Sequence, residues 1–81
     1  MSKKIKADAS LGKNLRALRK KHGYTQEQLV AKLQLLNQDI SRSIYAQIEC
    51  GTYNIRVSEL VALQQIYRVS FDAFFEGIDL D

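Results

Sequence analysis

Proline and tryptophan are absent from this chain, and cysteine and histidine occur once each, as Cys50 and His22. A lone cysteine excludes an intramolecular disulfide, and with a single histidine beside it the chain falls short of a Cys/His zinc site, so neither metal nor cofactor is expected. Cys50 is assigned no function. There is also no glycine-rich phosphate loop and no nucleophile elbow, and His22 lacks compelling nucleophile and carboxylate partners. The chain is therefore expected to have no enzymatic activity. No apolar run approaches the roughly 18 residues of a membrane span and no signal-peptide pattern opens the sequence, which points to a cytoplasmic protein.

What remains is ordinary for a folded helical domain: 46% hydrophobic and 26% charged residues over 81 positions, enough for one small core. The net charge of +3 conceals an asymmetry. Residues 1–24 hold eight Lys/Arg against one Asp, or +7, and residues 25–81 hold four Lys/Arg against eight Asp/Glu, or −4. A basic N-terminal section beside an acidic remainder suggests one side that faces a polyanion, with a solvated lysine-rich arm as the competing explanation.

Helical periodicity organises the chain. Residues 1–9 lack it and are expected to form a basic flexible arm, with Ser10 as N-cap of a first helix whose inward stripe is Leu11, Leu15, Leu18 and His22. Lys13, Lys20 and Lys21 fall outside that stripe, and His22-Gly23 ends the helix. Thr25-Gln26-Glu27-Gln28 reads as a capping box opening a second helix, with Leu29, Val30, Leu33 and then Leu36 inward. Asn37 ends it in a left-handed conformation, and Gln38-Asp39-Ile40 connects onward. Ser41 then caps a helix of about nine residues that Gly51 stops, with Ile44, Tyr45 and Ile48 inward and Arg42, Ser43, Ala46 and Gln47 on the open side. After the loop 52–56, a fourth helix carries Val57, Leu60, Leu63, Ile66 and Tyr67. Val69-Ser70 caps a last short helix with Phe71, Phe74 and Phe75, which Gly77 terminates. The expectation is an all-α fold of five helices without strands, a domain over 10–77 and a short acidic tail over 78–81.

Leu18-Arg19, Gly23, Thr25-Gln26, Leu29, Leu33, Ile48-Glu49, Gly51 and Val69-Ser70 occur in an ordered series that resembles the XRE/Cro family of phage-repressor-type helix-turn-helix proteins, over roughly residues 11 to 77. The resemblance implies that the helix opened by Thr25-Gln26 lies across the DNA backbone and that the next helix, about 42–50, enters the major groove. It also implies an ion pair between Arg19 and Glu49, tying the first helix to the end of the third. The connector between helices two and three departs from the family, with seven residues, Gln34 to Ile40, in place of about three. The loop also lacks a proline that relatives often carry where Ile55 stands.

On this reading the chain is a sequence-specific double-stranded DNA-binding transcription regulator. Arg42, Ser43, Ala46 and Gln47 are the base-reading residues. Arg42 suits a bidentate contact to guanine, Gln47 one to adenine, and the Ala46 methyl suits a thymine methyl. Gln26, Asn54, Arg56 and Lys13 are the backbone contacts. A single short helix reads too few base pairs for selectivity, so a symmetric homodimer is expected. Phe71 and Phe74 are assigned to the core, and Phe75 and Ile78 to an isologous contact. The competing class is a protein-interaction module, antitoxin-like or anti-repressor, on the same fold.

Overall fold

The computed structural model describes residues 8–78; residues 1–7 of the basic arm expected over 1–9 and the last three residues of the acidic tail lie outside the described residues. Four α-helices, α1 (Ala9–Lys21), α2 (Gln26–Leu35), α3 (Arg42–Cys50) and α4 (Val57–Tyr67), are succeeded by a 3₁₀ helix, Phe71–Phe75, and no strand element is formed among the described residues. No helix among them is long and apolar enough to cross a membrane.

The first three helices start where a side-chain oxygen satisfies their unpaired first-turn amides. For α1 the cap is Asp8, not Ser10: the Asp8 carboxylate accepts from the amides of Ser10 and Leu11 at 2.7 and 3.3 Å. A carboxylate can serve both amides at once and also complements the positive end of the helix dipole. At α2 the capping box is complete, with the Gln28 amide donating to Thr25 Oγ1 at 3.1 Å and the Thr25 amide donating to Gln28 Oε1 at 2.9 Å. Ser41 Oγ accepts from the Ile44 amide at 3.1 Å to open α3. At α4 the Arg56 amide donates to Glu59 at 2.8 Å. Arginine has no acceptor to return the bond, so half a capping box serves, and it leaves Glu59 buried at the helix start. Asn37 adopts φ 63° after α2, and Gly51 adopts φ 78° after α3.

One core runs through all five elements. Leu11 and Leu15 from α1, Leu29, Val30 and Leu33 from α2, Tyr45 and Ile48 from α3, Leu60, Leu63 and Tyr67 from α4, and Phe74 are all buried, with Ile40 and Ile55 of the connecting loops joining them. The assignments of Leu36, His22 and Phe71 to the core are corrected. Leu36 is exposed beyond the last turn of α2, because that helix already gives its inward positions to Leu29, Val30 and Leu33. His22 caps α1 at the surface, its Nδ1 2.9 Å from the Leu18 carbonyl and its ring 4.7 Å from that of Tyr67. Phe71 is 43% exposed, its ring set edge-on against the fully buried Phe74. In a 3₁₀ helix residues three apart eclipse, so Phe71 and Phe74 share one face; Phe74 fills the core and Phe71 packs edge-on over it, half in solvent.

Candidate nucleic-acid interface

The amphipathic pattern of α3 gives it a locked side and an open side. Tyr45 and Ile48 anchor the locked side in the core. Beside them Glu49 joins three elements. Arg19 of α1 donates from Nε to Oε2 at 2.7 Å and from Nη2 to Oε1 at 3.1 Å, and Gln26, the first residue of α2, donates its amide to Oε1 at 3.1 Å. Arg19 Nη1 also reaches the Tyr24 carbonyl at 2.9 Å, so the guanidinium spans the turn that leads into α2. The fork-to-fork contact is the strong form of an Arg–carboxylate bond, and side-chain exposures of 10% and 5% place it largely out of water.

The electrostatics follow from that burial. Desolvation alone pushes the Glu49 carboxyl up, but the bonds from Arg19 and Gln26, helped by the nearby Tyr45 hydroxyl, outweigh it and hold the group below its ordinary 4.5. The bond to Glu49 likewise outweighs burial at Arg19 and raises its guanidinium further. The hydroxyls of Tyr45 and Tyr67 are pushed well up, mainly by burial and further by the Glu49 charge, and neither makes a bond of good geometry. Tyr45 therefore acts on Glu49 through its proximity in a shared buried site rather than as a well-aligned donor.

Backbone proximity makes the same seam tight. Gly12 of α1 is buried against the last turn of α3, where a Cβ atom would lie 2.5 Å from the carbonyl oxygens of both Ile48 and Glu49. At Gly51 a Cβ would meet the Ala9 backbone at 2.6 Å, so the left-handed stop of α3 also lets the start of α1 close over it.

On the open side Arg42, Ser43 and Gln47 are exposed, and among the described residues their side chains make no hydrogen bond or ion pair. Ala46 is half-buried in a shallow cleft that it shares with Gln26, Arg16 and Cys50. Of the four backbone-contact positions, Lys13, Asn54 and Arg56 are exposed, Lys13 on α1 and the other two in the loop before α4. Gln26 is half-buried with its amide directed to Glu49, which leaves it one amide hydrogen and its carbonyl oxygen. Arg16 was not singled out in the sequence. Its signal was the spacing to Arg19, since residues three apart share a helix face, so the cation beside the buried one lies over the same cleft. Among the described residues no group of three or more His, Cys, Asp or Glu is gathered into a metal-ligating cluster.

A helix-turn-helix family model matches residues 15–74, which include α2, its connector and α3. The chain belongs to the XRE family of helix-turn-helix proteins. Membership makes it a DNA-binding transcription regulator of that family. Its fold is similar to that of the restriction-modification controller protein C.AhdI from Aeromonas hydrophila, with a TM-score of 0.66 and 25% identity over 83% of this chain and 94% of that one. No curated protein matches the sequence.

Proposed function

We propose that this regulator reads a specific double-stranded DNA sequence with the open side of α3 in the major groove. The observation that carries this is the contrast within α3. Its inner residues are committed to the core and to the Glu49 bonds, while Arg42, Ser43 and Gln47 are ordered by the helix and have no partner within the described chain. Arg42 suits guanine O6/N7, Gln47 suits adenine N6/N7, and the half-buried Ala46 offers only a methyl surface, fit for a thymine methyl. Lys13, Arg16, Asn54, Arg56 and the remaining Gln26 hydrogen supply phosphate contacts, which set affinity and orientation but carry no sequence information.

The working form is a symmetric homodimer. Phe75 is 43% and Ile78 36% exposed, whereas the neighbouring Phe74 is fully buried, so the end of the domain presents apolar surface that its own core does not cover. Asn14 fixes this segment on α1 by donating its amide to the carbonyls of Phe74 and Glu76, each at 2.9 Å. Similarity to a restriction-modification controller protein adds support for a regulatory role. The antitoxin-like or anti-repressor alternative draws on a different observation, the 82% exposure of Leu35.

Selection from a random duplex library at low salt tests the reading. Enrichment of a palindrome with half-sites about one helical turn apart, roughly 34 Å, is expected. Absence of binding would overturn DNA recognition in favour of the partner module.

A further inference from the structure

The exposed leucines at the end of α2 and just after it belong to a groove. Leu35 and Leu36 line it together with Val61 and Ile66 of α4, and it runs on from Tyr24 to Gln38 between the two helices. Leu35 is 82% exposed and both Leu36 and Val61 37%, which is unusual for adjacent branched aliphatics on a small domain. Two cations stand at its edge, Lys32 and Arg68, and no acidic side chain lines it. The Lys32 ammonium lies 5.1 Å from the centroid of the Tyr24 ring, so that charge is held at the rim by a cation–π contact.

The last seven residues carry the complementary chemistry. Phe75, Ile78 and Leu80 alternate with Glu76, Asp79 and Asp81 around a single glycine, giving three apolar and three acidic side chains. An apolar groove with a basic rim and an apolar segment with acidic interruptions match in both hydrophobicity and sign. Asn14 holds the start of that segment on α1, whereas the groove lies between α2 and α4.

We infer that the C-terminal segment of one copy docks in the α2–α4 groove of a second copy, with Phe75 and Ile78 against Leu35, Leu36 and Val61 and the carboxylates of Asp79 and Asp81 facing Lys32 and Arg68. Exchanged both ways about a two-fold axis, the contact is isologous and closes on itself, so it ends at a dimer. The inference rests on the homodimer proposed above and names the surface that Phe75 and Ile78 meet.

Sedimentation equilibrium of the full chain tests it, with circular dichroism to establish that each variant is folded. Lys32→Glu/Arg68→Glu is expected to raise the dimer dissociation constant at least ten-fold. Adding Asp79→Lys/Asp81→Lys to that background is expected to bring it back towards wild type. Leu35→Glu changes a solvent-facing position that leaves the core intact and is expected to weaken the dimer by a similar factor. An unchanged dimer in the Leu35 variant, or a groove reversal that the tail reversal does not rescue, overturns the docking while leaving the homodimer in place. A wild type that stays monomeric at micromolar concentration overturns both.

Discussion

The two sides of α3 have the same helical backbone and opposite environments. On the inner side Glu49 accepts from Arg19 twice and from Gln26 once, in a seam too tight for a single methyl at Gly12. On the outer side, Arg42, Ser43 and Gln47 face solvent without partners among the described residues. A nine-residue helix is marginal alone, so its order comes from the inner side. The outer side can then hold polar side chains that contribute little to stability and are left for a ligand. Substitutions on the two sides should consequently separate into effects on folding and effects on binding.

The largest effect is expected from Glu49→Ala. It leaves the Arg19 guanidinium buried without its counter-ion, which should cost about 3–5 kcal/mol, seen as a lowered denaturant midpoint at unchanged slope. A midpoint close to wild type would mean that water reaches the pair and that the seam does not position α3. Gly12→Ala comes next. The added methyl meets backbone carbonyls, which cannot rotate away as a side chain would, so a loss of about 1–3 kcal/mol is expected by the same measurement. A neutral or stabilised variant would show that α1 and α3 separate without cost.

Acidification should give a smaller, graded loss on the same side. Glu49 is held below its ordinary 4.5 in the folded chain, so the unfolded chain takes up a proton first as the pH falls. The stability owed to that shift is complete above the ordinary value and disappears as the pH drops through the folded one. Thermal melts from pH 7 to 3 should show a drop in Tm below about pH 4.5 that is reduced in Glu49→Gln. An equal drop in that variant would assign acid sensitivity to other carboxylates.

The elements that were legible in the sequence are those governed by local rules. Ser41, the Thr25/Gln28 box, Asn37 and Gly51 each act within three or four residues, and each stands where the sequence placed it. The start of the first helix was misplaced by two residues: Ser10 reads as its cap in the sequence, whereas the Asp8 carboxylate, reaching two and three residues on, takes both amides. Least legible were features set by chain segments far apart. Nothing near Gly12 announces that Ile48 and Glu49 will lie against it, and nothing near Asn14 announces carbonyls 60 and 62 residues away. The exposure of Phe71 and of Leu35 likewise depends on how much core surface the other helices have already filled. The Arg19–Glu49 bond spans 30 residues, and only the family resemblance pointed to it in the sequence.

The outer side carries the smallest effects on folding and the central claim. The most direct measurement is the affinity of Gln47→Ala and Arg56→Ala for the selected duplex and for duplexes altered one base pair at a time, each over a range of salt. Gln47→Ala is expected to keep its denaturant midpoint and to give up about 1–3 kcal/mol of discrimination at one base pair per half-site, with the salt slope unchanged. Arg56→Ala should weaken every duplex alike and reduce the slope of log affinity against log salt by about 0.9 for each phosphate that is no longer neutralised. Equal losses across all duplexes for Gln47→Ala would contradict base reading by the open side of α3.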